Sequence, residues 1–195
     1  MSRVGVIILA AGNSSRLGRP KQLLPYRGKI LLMHVVYEAL AAELRPVVVV
    51  TGAYRAEVEA VLPSASVSIV YNEDWEKGMA SGIVAGLTNL RSLQANPEAV
   101  IITVCDQPYI SAALLLELTV RFDTSGKGIV GCGYADSVGT PVLFGRAYYE
   151  RLLALSGSDG AKKLLKQYTN DLAVVDFPLG VIDIDTEEDR RKLEG

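Results

Sequence analysis

Val4-Gly5-Val6-Ile7-Ile8-Leu9-Ala10-Ala11-Gly12-Asn13-Ser14-Ser15-Arg16-Leu17-Gly18-Arg19-Pro20-Lys21 decides how this chain folds. Its first part, 4–10, is continuously apolar, as suits a strand covered on both faces. Its second part is small, polar and basic, and reads as a loop leaving the end of that strand. Similar apolar runs recur at 46–51, 67–71, 99–105, 128–133, 141–144 and 172–177. Between them lie segments of helical period at 30–44, 55–62, 79–93, 111–122, 146–155 and 159–168, with a last one at 186–193. Ser111 is an N-cap candidate, and Thr186 with Asp189 three residues on resembles a capping box.

Strand and helix in alternation predict an α/β protein, a three-layer α/β/α sandwich of Rossmann-like type with a mostly parallel sheet. The closely spaced runs between 128 and 144 break the alternation, so a reversed strand is expected there and the sheet is expected to be mixed. No repeat or long linker divides the 195 residues, and a single domain over 1–195 is expected. In open sheets of this kind ligands sit beyond the carboxyl ends of the strands, so the residues following each apolar run are the candidates for chemistry.

Composition narrows the function classes. The chain is 49% hydrophobic and 22% charged with a formal net charge of −2, which gives no global electrostatic reason to bind nucleic acid or an acidic membrane. No apolar stretch approaches the ~18 residues of a membrane span. Arg3 and the run 4–10, ending in Ala10-Ala11-Gly12, imitate a secretory signal, but the run is short and the following pattern uses it as a first strand. Cys105 and Cys132 have neither zinc-ligand nor redox spacing, and are expected to be buried thiols in a cytoplasmic protein.

Positive charge is concentrated at the start: residues 1–37 carry six Lys or Arg and no Asp or Glu. Small residues at Ala10, Ala11 and Gly12 allow a ligand close to the backbone, and Arg16, Arg19 and Lys21 supply donors for phosphate oxygens. The loop is therefore expected to hold a polyphosphate. It is no Walker A loop, because Pro20 precedes Lys21 and no Ser or Thr follows. The spacing of Gly12 and Gly18 is not that of a dinucleotide fingerprint either. Asp106 directly follows the run 99–105 and should project into the ligand crevice. Asp183 and Asp185 lie in an acidic C-terminal segment, where six of the last thirteen residues are Asp or Glu. The one histidine, His34, sits in the 30–44 segment four residues before Glu38, and a surface His–Glu pair is expected there.

The long motif from Leu9 to Pro25, Leu9-Ala10-Ala11-Gly12-x-Ser14-x-Arg16-Leu17-Gly18-x-Pro20-Lys21-x-Leu23-Leu24-Pro25, resembles the opening of the nucleotidyltransferases with a glycosyltransferase-A-like fold. Within them it is most similar to the molybdenum cofactor cytidylyltransferase (MobA-like) branch. Gly78-Met79-Ala80-Ser81, Cys105-Asp106-Gln107-Pro108, Gly139-Thr140-Pro141 and the segment from Asp183 to Asp189 continue the likeness in order. The resemblance implies a Mg²⁺-dependent transfer of CMP from CTP to a phosphate monoester, molybdopterin above all, with a molybdoenzyme as downstream partner. It implies Leu9, Ala10, Ala11, Gly12, Arg16, Lys21, Gly78, Ser81 and Asp106 as nucleotide contacts, with Lys21, Arg16 and Asp106 catalytic. Asp106 and Asp185 would hold the metal, with Asp183 as the substitute for Asp185. Ala10-Ala11, in place of Ala-Gly or Gly-Gly, favours cytosine over guanine.

Departures cluster on the acceptor side. Gly82 stands where a second Ser is common, Thr140 where His is frequent, Gly157-Ser158-Asp159-Gly160 has an extra Ser, and Lys162 or Lys163 replaces Arg. A sugar or alditol phosphate is the alternative acceptor, and a non-catalytic protein that carries nucleotide or cofactor is the alternative of another class.

Overall fold

The computed structural model describes residues 3–93, 97–157, 160–186, 188, 189 and 191. Among the described residues seven strands form one sheet: β1 (Val4–Leu9), β4 (Val47–Thr51), β5 (Ser68–Tyr71), β6 (Ala99–Val104), β7 (Ile129–Tyr134), β8 (Ser137–Gly145) and β9 (Leu172–Asp176). A separate two-stranded ribbon, β2 (Pro25–Tyr26) with β3 (Lys29–Ile30), turns through Arg27 and Gly28, both at positive φ. The order across the main sheet is β5-β4-β1-β6-β8-β7-β9. β5, β4, β1 and β6 run parallel, as do β7 and β9, while β8 is antiparallel to both β6 and β7. The reversed strand expected between 128 and 144 is β8, which is longer than its apolar run because it forms a hairpin with β7.

Helices α1 (Leu31–Ala41), α2 (Arg55–Glu59) and α4 (Ala112–Ser125) cover one face of the sheet. Helices α3 (Met79–Ser92), α5 (Tyr149–Leu153) and α6 (Lys162–Gln167) cover the other. Alternation along β1 shows why its run is continuously apolar. Val4, Val6 and Ile8 pack with Val35, Val36 and Leu115 on the first face, whereas Ile7 packs with Ile83 and Leu87 on the second. Gly5 and Gly86 are small because a Cβ at either would meet Leu90 or Ile7 at 2.7 and 2.6 Å.

Ser111 caps α4, accepting a hydrogen bond from Leu114 N at 3.2 Å, and Gly126 ends it in the left-handed conformation. α5 and α6 are shorter than their periodic segments; a tight 3₁₀ turn at Arg146–Tyr148 takes up the start of the first. The capping box is present: Thr186 N donates to Asp189 Oδ2 (2.9 Å) and Asp189 N to Thr186 Oγ1 (3.2 Å). Half of the helix expected at 186–193 lies outside the described residues, as do Ser158 and Asp159. Among the described residues no helix is long and apolar enough to cross a membrane.

His34 is not the surface residue expected from its helical spacing. Its ring lies edge-on to Tyr26 (centroids 5.0 Å apart), with Nε2 2.9 Å from Ile110 O and Nδ1 3.8 Å from Glu38 Oε1. The loop before α4 folds over α1 and encloses it, and Glu38 also accepts from Ala112 N.

Candidate active site

Strand order creates the site. From β1 the chain moves outward through β4 to β5, then returns to β6 on the opposite side of β1. Leu9 is in register with both Val50 and Val104, so the first loop and Asp106 leave neighbouring parallel strands side by side. A crevice must open where successive connections diverge in this way. A cavity of about 490 Å³ occupies it, lined among others by Leu9, Ala11, Gly12, Lys21, Gly78 and Asp106.

The first loop is held from beneath by Gln22. This side chain is fully buried, and its Nε2 donates to Ala10 O (2.9 Å) and Gly12 O (2.8 Å). Ala10 itself is buried, its N–H bonded to Val50 O at 2.9 Å, so it supports the cavity without lining it. Tyr54 OH bonds Asn13 O at 3.0 Å, and Lys21 N bonds Ser14 Oγ at 3.1 Å. Among the described residues a Cβ at Gly12 would meet nothing within 4 Å, so the backbone here is open to a ligand. Gly52 is required on the other side, where its Cβ would stand 2.5 Å from Ala11 O.

Lys21 joins the loop to two carboxylates. Its ammonium forms an ion pair with Asp106 Oδ2 and lies 3.0 Å from Asp185 Oδ1, while Arg16 Nη2 is 2.5 Å from Asp185 Oδ2. Asp185 reaches this point because Ile184, 1% exposed, is buried among Leu24, Tyr26, Leu31 and Leu17, and its N–H bonds Asp106 O at 3.0 Å. Burial alone would push Lys21 down, but the charge and hydrogen bonds of Asp106, then Asp185, hold it above the ordinary lysine range. Burial would likewise raise Asp185, and Lys21, then Arg16, outweigh it and keep that carboxyl below its usual value. Loss of solvent, then the charges of Asp106 and Asp185, push Asp183 up to about 6. Burial, then Asp106, pushes the adjacent Cys105 thiol up to about 12, so it is neutral lining.

Asp106 Oδ1 is buried and, among the described residues, makes no hydrogen bond. An orphaned carboxylate oxygen beside a pair of acids that already attracts an ammonium suits a divalent cation. Among the described residues no group of three or more His, Cys, Asp and Glu side chains is arranged to hold a metal ion. Two carboxylates fit Mg²⁺, which takes one or two acids and completes its shell with phosphate and water.

The far wall of the cavity is the start of α3. Gly78 has φ 101°, a conformation that favours glycine, and with Met79, Gly82 and Trp75 it lines the cavity. Ser81 was expected to face a ligand and does not. Its Oγ accepts from Asn72 Nδ2 (2.9 Å) and is 2.8 Å from both Asp74 O and Gly78 O, because a Ser in a first helical turn bonds backward to carbonyls. It shapes the loop that carries Gly78.

A second cavity of about 610 Å³ adjoins the first across Met79, with Tyr134, Thr140, Asp183, Lys162, Lys163 and Lys166 in its lining. Gln107, which follows Asp106, holds Thr140 of this lining in place: Oε1 accepts from Thr140 Oγ1 (3.1 Å) and Nε2 donates to Gly180 O (2.8 Å). The structure thus brings Lys21, Arg16, Asp106 and Asp185 to one point and puts Asp183 toward the second cavity. Sequence reasoning overlooked Gln22, Trp75, Met79 and the anchoring role of Ile184. Gln22 lies inside the opening motif as an unassigned position, and that was its one available signal.

A family model described as MobA-like NTP transferase domain matches residues 6–172. The chain is similar to nicotine blue oxidoreductase of Paenarthrobacter nicotinovorans, with 30% identity over 171 residues, 83% of this chain and 80% of that protein. Rv0371c from Mycobacterium tuberculosis H37Rv superimposes with a TM-score of 0.83 at 30% identity, covering 98% of this chain and 97% of that one. A manganese complex of Rv0371c superimposes with a TM-score of 0.77 at 28% identity, covering 98% of each chain.

Proposed function

The chain belongs to the MobA-like NTP transferase family, and from that premise we propose that it moves CMP from CTP onto a phosphate monoester of the molybdopterin type, releasing pyrophosphate. The observation that carries this reading is the meeting of Lys21, Asp106 and Asp185 at the mouth of the β1 loop. Simple carriage of a nucleotide does not require paired carboxylates and a lysine at one point, whereas transfer at an α-phosphate does. On this reading the product passes to a molybdoenzyme, and the work is done in the cytoplasm, where NTP and Mg²⁺ are at hand.

The backbone at Ala11 and Gly12, with Arg16 and Lys21, cradles the triphosphate. The start of α3 at Gly78 and Met79 faces the nucleoside. Asp106 and Asp185 hold Mg²⁺; the manganese complex of the similar mycobacterial protein supports a divalent ion. Bound there, the ion supplies charge neutralisation on the phosphates. Lys162, Lys163 and Lys166 attract the acceptor's anionic group in the second cavity. An acceptor phosphate oxygen forms the new bond to the α-phosphorus, the bond to the bridging oxygen breaks, and pyrophosphate leaves with both electrons. A phosphate monoester has its second pKa near ~6 and is ionised at neutral pH, so no general base is needed. This agrees with the enclosure of His34 away from the crevice. Catalysis rests on in-line positioning and on Lys21 and Arg16 meeting negative charge as it develops.

The test is pyrophosphate release with Mg²⁺, each of the four NTPs in turn, and molybdopterin, a sugar phosphate or an alditol phosphate as acceptor. CTP with molybdopterin should give the highest kcat/KM. Turnover with a sugar or alditol phosphate alone moves the acceptor class, and no turnover with any pair removes the catalytic reading.

A further inference from the structure

Lys21 stands where a metal-binding carboxylate pair would hold its ion. Its Nζ contacts Asp106 and lies 3.0 Å from Asp185 Oδ1, so one ammonium serves both acids. The side chain is largely enclosed, with 17% of its surface exposed, and Asp106 is similarly covered at 16%. The second oxygen of Asp106 is buried without a partner among the described residues, so this carboxylate is only half satisfied by the lysine. Arg16 meanwhile occupies the other oxygen of Asp185 from the solvent side.

Lys21 and Arg16 match the two acids in charge, but they leave the second oxygen of Asp106 without a donor, and an ammonium donates along three directions only. A divalent ion neutralises both acids and can engage the free Asp106 oxygen. The two cations cannot share the position, because like charges a few ångströms apart in a partly enclosed site repel strongly. We propose that Lys21 is an internal placeholder for the divalent ion: metal binding displaces its ammonium from Asp106 and Asp185 and turns it toward the phosphates. The lysine thereby keeps the two acids together before metal arrives, and its release couples metal binding to nucleotide binding. This inference rests on the reading of Asp106 and Asp185 as the metal pair.

A competitor inside the protein weakens the apparent metal affinity by the fraction of molecules it occupies. If the lysine-bound form makes up about nine-tenths of the protein, Lys21→Met should bind Mn²⁺ about tenfold more tightly than the wild type. Mn²⁺ alone is the probe, read by electron paramagnetic resonance of the free ion, with Asp106→Asn as the control that locates the ion. The second arm uses the wild-type protein: acylation of lysine amines, quantified by mass spectrometry, with and without saturating Mn²⁺. Labelling of Lys21 should rise several-fold with Mn²⁺, while that of Lys127, bonded to Asn170 O, stays constant.

Unchanged or weaker Mn²⁺ binding by Lys21→Met overturns the placeholder. So does tighter binding with constant Lys21 labelling, which would show charge repulsion without displacement. Full Mn²⁺ binding by Asp106→Asn would instead remove the metal pair itself. The two failures are therefore separate.

Discussion

The Ile184 plug gives the sharpest test of how the site is assembled. Ile184 is 1% exposed and sits in a small cluster with Leu24, Tyr26 and Leu31, against which Leu17 also packs. Truncation of a buried aliphatic side chain to Ala costs roughly 2–5 kcal/mol. Here the lower half applies, because the segment crosses the surface and can settle inward, and its backbone bond to Asp106 O survives the substitution. At ~2–3 kcal/mol, and ~2–4 °C per kcal/mol for a chain of this size, Tm should fall by about 5–10 °C. The specific consequence is local: Asp185 loses the anchor that brings it to Lys21 and Arg16. Disturbing a support of a metal ligand typically weakens affinity ~10–100-fold, and about tenfold is expected for Mn²⁺. Val181→Ala is the control, since Val181 belongs to the same segment and is 55% exposed; its Tm and Mn²⁺ affinity should not move. Thermal denaturation and Mn²⁺ titration of both variants suffice. A lower Tm with unchanged Mn²⁺ affinity in Ile184→Ala would refute the claim that this side chain positions Asp185.

Two further predictions concern other parts of the molecule. In Gly52→Ala the new Cβ would stand 2.5 Å from Ala11 O, so the first loop must shift; nucleotide affinity by calorimetry should fall about tenfold, with ~1–3 kcal/mol lost from stability, and unchanged values would contradict the close approach. Asp171 accepts from Tyr148 OH (2.5 Å) and Gly128 N (2.9 Å), and these bonds hold its carboxyl below the usual range. The unfolded chain therefore takes up the proton first: this stabilisation is complete above the unfolded value near ~3.9 and is lost as pH falls through the lower folded value. Urea unfolding at stepped pH should show the wild type's advantage over Asp171→Asn shrinking below about pH 4, whereas a constant gap would exclude it.

The strands were legible because most of them are buried on both faces. Runs such as 46–51 and 99–105 carry no polar alternation and could be little else in a chain with helices between them. Lys21 and Asp106 were legible for a related reason, since each follows an apolar run at the sheet edge where ligands bind. What could not be read was tertiary. The β2–β3 ribbon has two-residue strands, too short for any periodicity, and rests on the positive φ of Arg27 and Gly28. The choice between Asp183 and Asp185 depends on which way one segment faces when Ile184 docks 160 residues from its partner Leu24. Ser81 looked like a ligand contact because its backbone position is right, yet its hydroxyl turns to Asp74 O and Gly78 O. His34 misled in the opposite sense, because helical spacing says nothing of the loop that folds across it.

Asp106, just beyond the end of β6, paired with Lys21 and close to Asp185, is the residue on which transfer depends. Pyrophosphate release under Mg²⁺ with the best donor and acceptor pair, compared between wild type and Asp106→Asn at matched Tm, tests it most directly. The wild type should turn over, and the variant should lose ~10³-fold or more in kcat, the scale expected when charge stabilisation at a transferring phosphate is removed. Equal turnover by Asp106→Asn would contradict it.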